Sequence, residues 1–183
     1  MWRFNQWQTF IAGAYLMSIA GTMYMFPAYS LDLRDNLHLS KTSDIDRIGT
    51  LLQFGSWCAI IGGLLYDRYG PRLTTLVSTT LIGVGYTLMY LTSSGVIKVP
   101  PLVFGFFALL VGQGSSYLYI IALNTSISNF DREHKGQVVG FLASVFAMCS
   151  GIYTQLYRSF FAPNITRFFL FLGIVHTLVS LVA

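Results

Sequence analysis

Charge is what this sequence has least of. Only 10% of its 183 residues are Asp, Glu, Lys or Arg, against about a quarter in an ordinary soluble domain. That is too few to cover a water-facing surface, which excludes a soluble globular fold. Cysteine is scarce as well. Cys58 and Cys149 both fall inside apolar runs, which argues against a disulfide framework and leaves them as small packing residues. Catalytic constellations are missing too. His38, His134 and His176 lie on separate segments, and no Ser/His/Asp set, H-E-x-x-H motif or cysteine pair accompanies them. Nothing here points to an enzyme, a bound metal or a cofactor. The basic residues give a net charge of +4 but form no run or stripe. Lipid headgroups are therefore the expected anionic partner, and nucleic acid is not.

What the chain does have is apolar length. Hydrophobic residues make up 54% of it, and its few charges are clustered. No charged residue falls between Phe10 and Leu31, Ile48 and Tyr66, Leu73 and Ile97, Val99 and Phe130, or Gln137 and Tyr157. From Phe168 to Ala183 the sole titratable side chain is His176. Each gap is near or above the ~17–25 residues a helix needs to cross a bilayer. In hydrocarbon the backbone must satisfy its own hydrogen bonds, so the gaps are expected to be helices. The expectation is an all-α, polytopic membrane protein forming one bundle over residues 1–183. Its six spans are Thr9–Tyr29, Ile48–Tyr66, Leu73–Thr92, Pro101–Leu123, Gln137–Tyr157 and Thr166–Ala183.

The connections are short, apart from Ser30–Arg47, which reads as a polar loop with at most one helical turn. Pro100–Pro101 suits a helix start. Near the N-terminus, Arg3 precedes an apolar run too long for a cleaved signal, and Trp2 and Trp7 read as interface anchors of a retained span. The sixth span runs to the last residue, which suggests half of something larger. Charge does not set the orientation. Arg3, Arg68, Arg72, Arg132 and Lys135 flank one side, and Arg34, Lys41, Arg47, Lys98, Arg158 and Arg167 the other.

The connection between the second and third spans reads Gly63-Leu64-Leu65-Tyr66-Asp67-Arg68-Tyr69-Gly70-Pro71-Arg72. Gly63 permits close approach of a neighbouring helix, Gly70 and Pro71 make a reversal, and Arg68 and Arg72 reach carboxylates or phosphates. This G-x-x-x-D-R-x-G-x-R pattern resembles the signature loop of the major facilitator superfamily. Two further stretches are similar to its nodulin-like branch. One is Val111-Gly112-Gln113-Gly114 with Tyr117 and Ala122-Leu123-Asn124. The other runs from Asn129-Phe130-Asp131 through Lys135-Gly136-Gln137-Val138-Val139-Gly140 to Gln155-Leu156-Tyr157. Leu110 departs from the pattern, standing where many facilitators carry a fourth-span arginine.

The resemblance implies a solute transporter, or its N-terminal half, with its N-terminus in the cytoplasm. A second six-helix bundle completes such a carrier, so the implied partners are the bilayer, a small solute and that bundle. The other reading is a non-transporting six-span protein. Gly63, Asp67, Arg68, Gly70 and Arg72 would form a charged latch on the cytoplasmic side. The first and fourth spans would line the solute cavity. Spacings of three, four and seven place Tyr15, Ser18 and Thr22 close to one face of the first span. Gln113, Ser116, Tyr117 and Asn124 are the candidates on the fourth. Gly136 and Gly140 form a G-x-x-x-G step expected at a helix contact. Asn164-Ile165-Thr166 matches the glycosylation pattern but lies almost against a span.

Overall fold

A computed structural model describes residues 5–39 and 41–183. Trp2 and Arg3 lie outside the described residues. The described chain is helical almost throughout, with no strand among those residues. The helices are α1 (Gln6–Ala20), α2 (Phe26–Asn36), α3 (Thr42–Trp57), α4 (Ala59–Ser93), α5 (Pro101–Asn129), α6 (Lys135–Leu156) and α7 (Ile165–Val182). A 3-10 turn at Gly21–Met25 joins α1 to α2, and a π-helical turn at Tyr157–Phe161 closes α6.

Five helical stretches among the described residues are long and apolar enough to cross a bilayer: Gln6–Asn36, Thr42–Ser93, Pro101–Asn129, Lys135–Phe161 and Ile165–Val182. Local chemistry starts and stops them. At the head of α1 the Asn5 side chain accepts from the Trp7 amide, and Gln8 accepts from the Asn5 amide, each at 3.3 Å. This reciprocal box satisfies two donors that the first turn leaves open. Pro101 begins α5, where its missing N–H costs nothing. Inside α4 the backbone leaves helical geometry at Gly70, with φ 80° and ψ 178°. Only glycine adopts that region without strain. The Thr74 hydroxyl donates to the Gly70 carbonyl at 2.9 Å, serving an acceptor freed by the break.

The segment 30–47 differs from the expected loop. Residues 30–36 continue the first helical stretch and 42–47 begin the next, with 37–39 and 41 outside the helices. The physical reason is helix length. Gln6–Asn36 has 31 residues, or about 46 Å at 1.5 Å per residue, well beyond a hydrocarbon core of about 30 Å. It is thus long enough to carry its charged end beyond that core, and there the exposed Arg34 and Asp35 pair at 3.2 Å.

The bundle is organised around α5. Every residue of 111–118 is buried, with α1, α3 and α4 packed against it. Glycines set the closest approaches. A Cβ on Gly112 would lie 2.0 Å from the Leu52 carbonyl oxygen of α3, and one on Gly55 would lie 2.3 Å from the Leu109 carbonyl oxygen of α5. At one end of the bundle, Tyr29, Tyr86, Phe104, Phe168 and Phe169 pack edge to face or tilted, forming an aromatic core. By contrast, α6 buries only Val138, Leu142 and Cys149. A Cβ on Gly136, Gly140 or Gly151 meets nothing within 4 Å. The G-x-x-x-G step expected to pack thus meets no neighbour among the described residues.

Candidate functional site

The residues of the proposed latch sit around the break in α4. Asp67 and Arg68 are exposed, and the Arg68 guanidinium lies 5.6 Å from the centroid of the Tyr69 ring. Gly70 supplies the non-helical backbone and Pro71 starts the limb beyond it. Gly63 faces open space. Its lack of a side chain serves no helix contact inside the bundle.

The cavity candidates divide into two groups. Tyr15 and Asn124 are exposed and Ser18 is half-buried, so these stand on an open side of α1 and α5. Thr22, Gln113, Ser116 and Tyr117 are buried. The Gln113 amide donates to the Tyr117 hydroxyl at 2.8 Å and to the Cys58 carbonyl at 3.2 Å, tying α5 to the junction of α3 and α4. The hydroxyl groups of Ser18 and Ser116 donate to carbonyls three residues back, at 2.7 and 2.8 Å. A cavity of about 720 Å³ brings members of the two predicted sets together: Tyr15 and Arg72 line it, with Gly13, Thr125 and Ser180.

Two polar contacts escaped the sequence reading because their partners are far apart in the chain. Tyr157 at the end of α6 is buried, and its hydroxyl donates to the Asp32 carboxylate on α2. His176 on α7 is fully buried, and its Nε2 lies 2.8 Å from the Thr22 hydroxyl oxygen. Both contacts fasten the first helical stretch to the last two. For His176 the signal in the sequence was a polar residue standing alone in an apolar run, whereas Asp32 and Tyr157 stood among other polar residues and gave none. Cys58 and Cys149 are both free, and the Cys149 thiol donates to the Ser18 carbonyl at 2.9 Å. The Asn164 side chain is engaged as the cap of α7, accepting from the Arg167 amide at 3.1 Å.

Long apolar helices, an unpartnered face and glycine-set contacts define an integral membrane protein of the helical-bundle class. More particularly, the chain belongs to the Nodulin-like family, whose pattern it matches over residues 6–183. This agrees with the resemblance carried by its loop and fifth-helix motifs. It is 26% identical over 147 residues to the oxalate:formate antiporter of Oxalobacter formigenes, covering 79% of this chain and 33% of that protein. It is 24% identical over 178 residues to the probable transporter MCH1 of Debaryomyces hansenii, covering 88% and 35%. An uncharacterized membrane protein of Saccharomyces cerevisiae is 24% identical over 175 residues, covering 92% and 30%. The chain thus spans about a third of the length of the curated relatives it matches.

Proposed function

We propose that this chain forms a six-span bundle of a solute transporter that works by alternating access, rocking against a second bundle. The observation that carries the reading is membership of the Nodulin-like family along almost the whole chain, beside relatives named as transporters. Length supports the six-span count. Thr42–Ser93 has 52 residues, or about 78 Å of helix, more than twice the hydrocarbon thickness. Divided at Gly70, it supplies two crossings. An even number of crossings with the Asp67–Arg72 corner in the cytoplasm puts the N-terminus there too.

The open face of α6 and the open side of Gly63 support a second bundle as partner, supplied by a longer chain or by another subunit. Small residues let helix backbones approach closely in a membrane, and among the described residues a Cβ on these glycines meets nothing within 4 Å. Asp67, Arg68, Gly70 and Arg72 act there as the latch of one conformation. Tyr15, Ser18 and Asn124 offer polar groups to a solute at the seam, with the Gln113–Tyr117 pair behind them and Ser116 and Thr22 deeper still. The charge-free gaps in the sequence contain no Lys or Arg. Recognition of a carboxylate within the spans of this half therefore rests on hydroxyls and amides, with Arg72 at the cavity lining as the cation this half brings to it.

The test is uptake by the complete protein in proteoliposomes, using labelled oxalate, formate and a panel of other small organic acids and neutral metabolites. Saturable uptake that falls in Tyr15→Ala and Gln113→Ala supports the reading. Absence of both uptake and binding across the panel, with a folded protein, overturns it.

A further inference from the structure

The stretch expected as the second span breaks near its middle. α3 ends at Trp57 and α4 begins at Ala59, leaving Cys58 in neither helix. Its backbone sits at φ −75° and ψ 23°, far from the helical ψ of about −42°. The uncharged stretch Ile48–Tyr66 has Trp57 at its centre. The break therefore falls where the protein itself must serve every backbone polar group. The Cys58 carbonyl accepts from the Ile61 amide at 3.2 Å, a tight three-residue turn. It also accepts from the Gln113 side-chain amide of α5, at 3.2 Å. A carbonyl oxygen has two lone pairs and only accepts, so both bonds fit and the nitrogen of Gln113 faces it. The other amide hydrogen goes to the Tyr117 hydroxyl at 2.8 Å.

With the second break at Gly70, residues 59–69 are a short helical limb between two irregular points. Its own bundle holds it lightly. Only Gly62 of the limb is buried, whereas α3 buries Ile45, Ile48, Leu52 and Gly55. α3 is also fastened along α5, with Leu51 and Leu52 set against Gly105 and Gly112. α5 grips the limb through Gln113 on the Cys58 carbonyl and through the Tyr117 ring, which fills the space a Cβ on Gly62 would need. Further along, the Tyr66 and Thr125 hydroxyls lie 3.0 Å apart. The other side of the limb is open, with Ile60, Ile61 and Leu64 exposed. A segment with few buried apolar contacts opens at low cost, and an irregular turn within a helix often marks a hinge.

We propose that residues 59–69 form a swinging limb hinged at Cys58, and that Gln113 is the positioning residue that clasps it to α5. α3 stays with α5, and the limb moves as a rod because its backbone hydrogen bonds are internal. Asp67 and Arg68 ride on the limb, so its angle sets where the charged corner lies. The clasp acts at the hinge itself. Without the Gln113 amide the Cys58 carbonyl loses one of its two donors, and only the contacts at Gly62 and Tyr66 tie the limb to α5. The limb's service to the latch rests on the transport reading, whereas its mobility does not.

The complete protein is held in lipid nanodiscs with Cys58→Ala, Cys149→Ser and any further thiol replaced. The alanine leaves the carbonyl of position 58, a main-chain group, in place. Spin labels at Tyr69→Cys on the limb and Gln137→Cys on α6, both exposed, report their separation by pulsed electron resonance. The limb is about 16 Å long, so about ten degrees at Cys58 moves its far end by about 3 Å. In Gln113→Leu, which keeps the bulk and loses the amide, the distance is expected to shift or broaden by about 3 Å or more. The control pair Thr50→Cys and Gln137→Cys reports on α3 and is expected to match wild type. If Gln113→Leu does not fold, Tyr66→Phe, which removes the grip on Thr125, is expected to give the same selective change. An unchanged limb distance, or an equal change in both pairs, overturns the proposal. A swinging limb in a protein that moves no solute leaves the hinge standing and counts against the transport reading alone.

Discussion

Replacing Gly112 with alanine tests the packing at its tightest point. The new methyl group would sit 2.0 Å from the Leu52 carbonyl oxygen, about 1.4 Å short of the 3.4 Å at which ordinary contact begins. The obstacle is backbone, so no side chain can swing aside. The contact is also reciprocal, because Gly55 of α3 presses on the Leu109 carbonyl and the Gln113 amide of α5. Relief requires the two helices to separate, loosening every contact along their seam. Overpacking of a filled interior costs roughly 1–3 kcal/mol, and this site belongs at the upper end because both sides are main chain. Alanine's better helix propensity returns about 1 kcal/mol. A net loss of about 1–2 kcal/mol is expected, read as a lower midpoint in denaturant or thermal unfolding in detergent. Gly140→Ala is the matched control. It gains the same propensity and meets nothing within 4 Å, so the purified bundle should be as stable as wild type or slightly more so. Equal stabilities for the two variants would refute the claim that α3 and α5 touch through their glycines.

Gly70→Ala places a side chain at φ 80° and ψ 178°, and a cost of about 1–3 kcal/mol is expected; an unchanged unfolding midpoint would contradict the backbone geometry described. Tyr157→Phe leaves the half-buried Asp32 carboxylate without its phenolic donor, and a loss of roughly 1–3 kcal/mol follows from an unmet acceptor; unfolding by denaturant measures it, and wild-type stability would mean that water replaces the phenol. For topology, Arg72→Cys and Lys41→Cys are expected to react with an impermeant thiol reagent from opposite sides of sealed vesicles. Labelling from the same side would rule out the six-span arrangement.

Much of the architecture was legible because hydrocarbon imposes a severe rule on sequence. Residues 10–31 and 137–157 are free of charge, and in hydrocarbon such a stretch must satisfy its own backbone hydrogen bonds, which a helix does. The segment 30–47 was misjudged because its charges resemble a loop, whereas most of them decorate the ends of two helices. Gly70 and Pro71 marked a break correctly, since both are punctuation with a backbone cause. Gly136 and Gly140 show the limit of spacing arguments. A small-residue step says that a close approach is permitted, not which chain makes it. His176 was visible only as a solitary imidazole, because its partner Thr22 stands 154 positions away.

The burial of α5 has an evolutionary corollary. Residues 111–118 have no outward side, so a replacement at any of these eight positions must be accommodated by α1, α3 or α4. On α6, only Val138, Leu142 and Cys149 are buried, so most positions face weaker demands from this bundle. Sequence drift among functional variants should therefore be uneven along the chain. A saturation library selected for surface expression would retain the parental residues of 111–118 while letting α6 diversify. Selection for activity would then restore constraint along α6 at Gly136 and Gly140, separating the residues that build the bundle from those that let it work.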